Sequence, residues 1–99
     1  KVTKFGIGIE EALVEAESGV SINRFVEYLN SQGLETLGFD DMSGSIGGGL
    51  FLNSFLQNHA KSIKVLGRDS EIRQINVSAL SLKEHIIISA VFKIKAKEI

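Results

Sequence analysis

A glycine- and serine-rich segment, Asp40-Asp41-Met-Ser-Gly-Ser-Ile-Gly-Gly-Gly49, holds the residues of this chain that are best suited to binding a small ligand. Glycine lets backbone N–H groups approach a ligand closely, and a helix N-terminus carries partial positive charge. An anion- or nucleotide-binding site in this segment would use Asp41, Ser43, Gly44, Ser45, Gly47, Gly48 and Gly49. The segment lacks the lysine of a P-loop and the G-x-G-x-x-G spacing, so a tightly packed turn is the competing interpretation.

The other reactive side chains do not form a pattern that is typical of an enzyme. Asp40 and Asp41 are adjacent, so in an extended chain their carboxylates point to opposite faces and do not converge on one substrate. His59 and His85 lack the spacing of metal ligands. No serine lies in a G-x-S-x-G or S-x-x-K motif, and cysteine is absent. We therefore predict no catalytic residues, no metal site and no cofactor.

The charges of the chain are separated along the sequence. Residues 1–60 carry three basic and eight acidic side chains, whereas residues 61–99 carry eight basic and four acidic ones, and the net charge is -1. Two copies of the chain could therefore attract each other, or the basic half could bind an acidic protein. Nucleic acid is a further candidate partner, which would be held by phosphate contacts from the basic side chains. These are Lys61, Lys64, Arg68, Arg73, Lys83, Lys93, Lys95 and Lys97.

Hydrophobic periodicity predicts the elements that would position these residues, in the order β-α-α-β-α-β-β. The predicted elements are strand 2–9, helix 9–19, helix 21–33, strand 34–39, helix 49–61, a further short strand 63–66, strand 72–82 and strand 84–97. Ser21 is a suitable N-cap for the second helix and Gly33 a suitable stop. Residues 81–84 are expected to join the last two strands as a hairpin.

This order of elements predicts an α+β fold. We expect a two-layer sandwich, in which a mixed sheet carries two to three helices on one face and the chain ends in a β-hairpin. The 99 residues, of which 43% are hydrophobic, are sufficient for a single domain spanning residues 1–99. No apolar run approaches the roughly 20 residues that cross a bilayer, so we expect a soluble, cytoplasmic protein without membrane insertion.

The C-terminal strand shows the clearest alternation in the chain. Its predicted core face consists of Ile86, Ile88, Ala90, Phe92, Ile94 and Ala96. The opposite face carries Ile87 and Val91 among polar side chains, and a solvated face should not hold such residues. We therefore predict an interface formed by Ile87, Val91, Lys93 and Lys95.

The stretch from Ser21 to Lys97 resembles the Alba type of small α/β chromatin protein in its predicted order of elements. The resemblance includes a terminal strand pair with Ser89-Ala-Val-Phe-Lys-Ile-Lys95, and it implies nucleic-acid binding. The lysine pair that such proteins present before their first long helix has no counterpart, because Val20-Ser-Ile-Asn-Arg24 stands there. The stretch from Leu34 to Ile72 also resembles STAS-type regulatory domains, whose Ser/Gly loop binds partners.

The sequence therefore favours a small, non-enzymatic interaction or regulatory module that forms a homodimer through its C-terminal strand. The first alternative is a regulatory domain that binds an anion or nucleotide at residues 43–49. The second alternative is an Alba-like protein that binds nucleic acid.

Overall fold

The computed structural model of the chain describes residues 1–7, 11–81 and 83–97 and contains one five-stranded sheet. The strands are β1 (Val2–Ile7), β2 (Glu11–Glu17), β3 (Ala60–Gly67), β4 (Ile72–Ile75) and β5 (His85–Lys95). Their order across the sheet is β1-β2-β5-β3-β4, and every neighbouring pair is antiparallel. The C-terminal strand β5 is therefore the central strand.

Among the described residues, three helices form the second layer: α1 (Ile22–Ser31), α2 (Ile46–Leu52) and α3 (Ser54–His59). The side chain of Ser21 caps α1 by accepting a hydrogen bond from the N–H of Arg24, as its position before an apolar periodic segment predicts. α1 buries Phe25, whose ring packs on Phe92 of β5 with ring centroids 5.2 Å apart. All three helices contribute to one hydrophobic cluster with the same face of the sheet.

This architecture confirms the predicted α+β two-layer sandwich with helices on one face. Two details of the prediction are wrong. The sheet is antiparallel throughout rather than mixed. The last two strands do not form a hairpin, because β4 pairs only with β3, and β5 lies between β2 and β3. β4 is also shorter than predicted, and a 3₁₀ turn follows it at Val77–Ala79. Leu82, at the predicted end of that strand, lies outside the described residues.

The predicted helix over 9–19 is wrong, because residues 11–17 form β2. Its alanines and glutamates favour a helix, and Ala12, Leu13 and Ala16 fit a helical face. The same segment also alternates strictly, with Ala12, Val14 and Ala16 buried in the core. Pairing with β1 on one side and β5 on the other selects the strand. Ile9 and Glu10, which were included in the predicted helix, lie outside the described residues.

The predicted strand over 34–39 is also wrong. Leu34 makes a single bridge to Ala96, and turns follow it. Gly38 adopts a φ of +93°, a conformation that a strand does not contain. Phe39 is still buried, but its ring packs on Phe25 and Phe55 instead of in a sheet. The segment therefore fills the core as a turn.

The predicted helix over 49–61 is two helices and the start of a strand. Asn53 separates α2 from α3. Its side chain caps the start of α3 by accepting a hydrogen bond from the N–H of Leu56. Ala60 already belongs to β3, which is longer than the short strand predicted over 63–66. The chain therefore passes from helix to sheet without an intervening loop.

A β-bulge in β5 changes which side chains face the core. Lys64 pairs with Ser89, but the next residue, Val65, pairs with Ile87, so Ile88 is an extra residue in β5. Before the bulge Ile87 faces the core and is only 6% exposed, whereas Ile86 is 66% exposed. The predicted burial of Ala90, Phe92 and Ile94 is confirmed. The predicted burial of Ile86 and Ala96 and the predicted exposure of Ile87 are wrong, and Ile88 is only partly buried.

Candidate functional site

The Ser/Gly segment lines a cleft of about 560 Å³ beside α2. Six of the seven residues predicted to bind a ligand lie around it: Asp41, Ser43, Gly44, Ser45, Gly48 and Gly49. Gly47 does not line the cleft, because its backbone packs on Ser18, at the turn after β2. Ile22, Met42, Leu52 and Asn53 complete the lining. The structure thus brings the predicted residues together.

The backbone N–H groups at the start of α2 already have acceptors within the protein. The N–H groups of Ile46 and Gly47 donate to the carbonyls of Val20 and Ser18, at 2.9 and 3.0 Å. Those of Gly48 and Gly49 donate to the side chain and the carbonyl of Ser45, at 3.1 and 2.9 Å. An anion in the cleft would have to displace these bonds, and it would also lie beside the carboxylate of Asp41. The arrangement is that of a packed turn.

Close packing explains why this segment needs glycine at two positions and not at a third. A Cβ on Gly49 would lie 2.6 Å from Cδ2 of Leu56, which is fully buried. A Cβ on Gly47 would lie 3.0 Å from Cβ of Ser18. A Cβ on Gly48 would meet only Oγ of Ser45, at 3.3 Å. Gly48 itself is exposed, so there is room for the added atom. Gly47 and Gly49 therefore have a structural role, because the backbone at these positions packs closely against Ser18 and Leu56.

We predict that Gly49→Ala lowers the free energy of unfolding by about 1–2 kcal/mol, because Leu56 must leave its packed rotamer. The matched change Gly48→Ala should alter stability by less than about 1 kcal/mol, because alanine favours the helix and finds room there. Urea denaturation followed by circular dichroism measures both variants. Equal losses at the two positions would contradict the packing described here.

The histidines occupy structural positions. Nδ1 of His59 lies 2.9 Å from the carbonyl oxygen of Phe55, and its ring packs on the rings of Phe39 and Phe55. Nδ1 of His85 accepts a hydrogen bond from the N–H of Ser81 at 2.9 Å. In the part of the chain that the structure describes, no three His, Asp or Glu side chains are arranged to hold a metal ion.

The second face of the sheet is open, because all of the described helices pack on the other face. It is called the uncovered face below. Of the four residues predicted to form an interface, Val91, Lys93 and Lys95 lie on this uncovered face, opposite to Phe92 and Ile94. Val91 is partly buried between Glu15 and Ser62 on the neighbouring strands. Ile87 is not on this face, because the bulge turns it into the core.

An apolar row crosses one end of the uncovered face. Leu66 of β3 pairs directly with Ile72 of β4 and with Ile86 of β5, so the three side chains share one face. Ile72 is 63% exposed and Ile86 is 66% exposed. The row cannot be predicted from strand alternation, because the bulge that places Ile86 outside has no signature in a run of isoleucines. The exposed row is the strongest sign of an interaction surface among the described residues.

The charged side chains of the uncovered face are divided between strands. Cross-strand pairs place Glu11, Glu15 and Glu17 of β2 on this face, and Lys93, Lys95 of β5 and Lys64 of β3. Nζ of Lys93 lies 3.1 Å from Oε1 of Glu11, and Ser89 donates to Oε2 of Glu15 at 3.2 Å. The α-amino group of Lys1 lies 2.8 Å from Oε1 of Glu17 on the same side of the sheet. The face therefore carries both signs of charge, partly paired within the chain.

The basic residues considered for nucleic-acid binding do not form a continuous stripe. Lys64, Lys93 and Lys95 share the uncovered face with the acidic side chains of β2. Arg73 forms ion pairs with Asp69 and Glu71 in the β3–β4 turn. Its hydrogen bond holds the pKa of the Asp69 carboxyl below its ordinary value. The strand predicted over 34–39, which is part of the order of elements that resembles Alba proteins, is also absent from the described residues 32–45, apart from the single bridge at Leu34.

Comparisons with known proteins do not assign a function to this chain. No model of a known protein family matches it, and no curated protein sequence matches it. Among the described residues, no helix has both the length and the apolar character needed to cross a bilayer.

Proposed function

We propose that this domain is a non-enzymatic protein–protein interaction module that self-associates through the uncovered face of its sheet. The contact is centred on the C-terminal strand β5. The observation that carries the proposal is the apolar row of Leu66, Ile72 and Ile86, of which the two isoleucines are exposed, on a face without described helices. Partly buried Val91 and Ile88 extend the apolar surface along β5.

The size of the apolar row sets the expected affinity. Burying the exposed two thirds of Ile72 or Ile86 would stabilise a complex by about 1–2 kcal/mol for each side chain. A symmetric dimer gains each contribution twice. Loss of translational and rotational freedom opposes association by roughly 4–15 kcal/mol. The row alone therefore supports weak association, and the rest of the face must add to it.

The charges of the face favour a second copy over a uniformly acidic partner. An acidic partner would be attracted to Lys64 and Lys93 but repelled by Glu15 and Glu17. The face of a second copy carries both signs of charge. The same argument separates this proposal from nucleic-acid binding, in which phosphates would meet the glutamates of β2.

We predict that the molar mass of the domain, measured by light scattering, rises from monomer to dimer as its concentration increases. Ile86→Lys should weaken the dimer by about tenfold or more while the circular dichroism spectrum stays that of the wild type, because Ile86 is exposed and is the member of the row on the central strand β5. Leu52→Lys is the matched control. Leu52 is 88% exposed on the helical layer, so its substitution should leave the dimer unchanged.

The proposal fails if the wild type remains monomeric at millimolar concentration. It also fails if Leu52→Lys weakens association as much as Ile86→Lys does, because the contact would then lie on the helical layer.

A further inference from the structure

We propose that a cavity beside the C-terminal half of β5 binds a zwitterionic amino acid with a large apolar side chain. The cavity has a volume of about 390 Å³ and lies where β5 meets α3 and the turn that follows α1. It shares no lining residue with the Ser/Gly cleft and none with the apolar row. The inference therefore goes beyond the proposed self-association.

The cavity exists because β5 continues beyond the start of its neighbour β3. The first residue of β3, Ala60, pairs with Phe92. The next backbone contact described on the same edge of β5 is made by Glu35, whose N–H donates to the carbonyl of Lys95 at 2.8 Å. The edge of the sheet is therefore open between these two contacts, and side chains of the sheet and of the helical layer meet at the opening.

The apolar part of the lining is mainly aromatic. Phe39, Phe55 and His59 form a cluster of rings whose centroids lie 4.5 to 5.2 Å apart, and buried Ile94 lies beside them. Leu37 also lines the cavity and is 77% exposed. An apolar group in the cavity would cover this leucine and pack against the rings. The volume lies within the range of about 300–1,000 Å³ that is usual for small-molecule sites.

Four charged side chains also line the cavity, two of each sign: Glu11, Glu35, Lys93 and Lys95. Glu11 and Lys93 already form an ion pair with each other. Oε1 of Glu35 accepts hydrogen bonds from the next two backbone N–H groups, both at 3.0 Å, and these bonds hold its carboxylate in place. Lys95 forms no ion pair with the residues that the structure describes. One positioned carboxylate and one ammonium group are thus available to a ligand.

The balance of these charges favours a ligand that carries both signs. A simple anion would be attracted by Lys95 but repelled by Glu35, and a simple cation would meet the reverse situation. An amino acid presents its carboxylate to Lys95 and its ammonium group to Glu35. The two charged groups of an amino acid are adjacent, and the backbone hydrogen bond places Glu35 and Lys95 side by side. The side chain of the ligand would then reach the aromatic rings.

NMR titration of the domain with phenylalanine tests the site. We expect the methyl signals of Leu37 and Ile94 to shift and to saturate with a Kd of about 1 mM or tighter, whereas those of Leu52 on α2 stay constant. Hydrocinnamate lacks the ammonium group of phenylalanine, phenethylamine lacks its carboxylate, and free glycine lacks its apolar side chain. Each of these compounds should bind about tenfold more weakly than phenylalanine or less.

Two charge-removing variants identify the groups that hold the ligand. Lys95→Ala and Glu35→Gln should each weaken the binding of phenylalanine about tenfold. Glutamine keeps an oxygen that can accept the hydrogen bonds of the turn, so the fold is preserved. The matched controls are Lys97→Ala and Glu27→Gln, because both residues are exposed and neither lines the cavity. These controls should leave the Kd unchanged.

Localised shifts that are lost in both variants and kept in both controls support the site. The absence of saturable shifts with phenylalanine overturns it. Equal binding of hydrocinnamate or phenethylamine also overturns it, because the ligand would then need only one of its charges. The titration is made on the dilute domain, so its outcome does not depend on self-association. A monomeric wild type that binds phenylalanine would contradict only the proposed function, and a dimer that does not bind it would contradict only this inference.

Discussion

Ile87→Lys is expected to unfold the domain, whereas the same change at the neighbouring residue, Ile86→Lys, leaves it folded. Ile87 is 6% exposed beside Val65 in the core, and Ile86 is 66% exposed. Lysine at residue 87 loses the burial of isoleucine, about 2–3 kcal/mol. It also places an ammonium group in the core, which costs several kcal/mol more. The total approaches the whole stability of an ordinary domain, about 5–15 kcal/mol.

This pair of variants tests the β-bulge at Ile88 directly. Regular alternation along β5 from Phe92 would place Ile86 in the core and Ile87 outside, so it predicts the opposite result. Circular dichroism and urea denaturation measure the two variants at low concentration, where association does not contribute to stability. A folded Ile87→Lys together with an unfolded Ile86→Lys would show that β5 has no bulge.

Gly38→Ala is expected to lower the free energy of unfolding by about 3 kcal/mol. Gly38 has a φ of +93°, and alanine in the left-handed region costs about 1–2 kcal/mol. A Cβ at this position would also lie 2.3 Å from Cζ of Phe55, whose ring packs on buried Phe39 with centroids 4.9 Å apart. Moving Phe55 therefore disturbs the aromatic part of the core, and overpacking of this kind costs about 1–3 kcal/mol.

Gly33→Ala is the matched control for the contact with Phe55. Gly33 also has a positive φ, +69°, but a Cβ there would meet nothing within 4 Å. Its substitution should therefore cost only the backbone strain, about 1 kcal/mol. The midpoints of urea denaturation, at an unchanged m-value, give the comparison. Similar losses for the two variants would show that the space at Gly38 is not limiting.

Local signals were sufficient to predict part of this fold. Ser21 and the apolar spacing of Ile22, Phe25 and Leu29 predict α1, and these residues are buried as that pattern requires. The long alternating segment at the C-terminus predicts β5. The α+β class follows from these elements and from the glycine stops between them. Each of these signals lies within about ten residues of sequence.

The remaining features depend on distant parts of the chain. The residues of β2 suit a helix or a strand, and pairing with β5, more than seventy residues away, decides between them. The bulge at Ile88 depends on how β3 pairs with β5. The glycines of the Ser/Gly segment fit either a ligand site or a tightly packed turn, and the sequence pattern does not decide between the two. The groups that approach it are Ser18, Val20 and Leu56, which the sequence pattern does not identify.

The central claim is that copies of the domain associate through the uncovered face of the sheet. NMR spectra of isoleucine, leucine and valine methyl groups, recorded over a dilution series, test it most directly. We expect the methyl signals of Leu66, Ile72, Ile86 and Val91 to shift with concentration. The signals of Ile63, Val65 and Ile87 on the core face, and of Leu52 on the helical layer, should stay constant. Spectra that do not change with concentration, or that change only at the helical layer, would contradict the account.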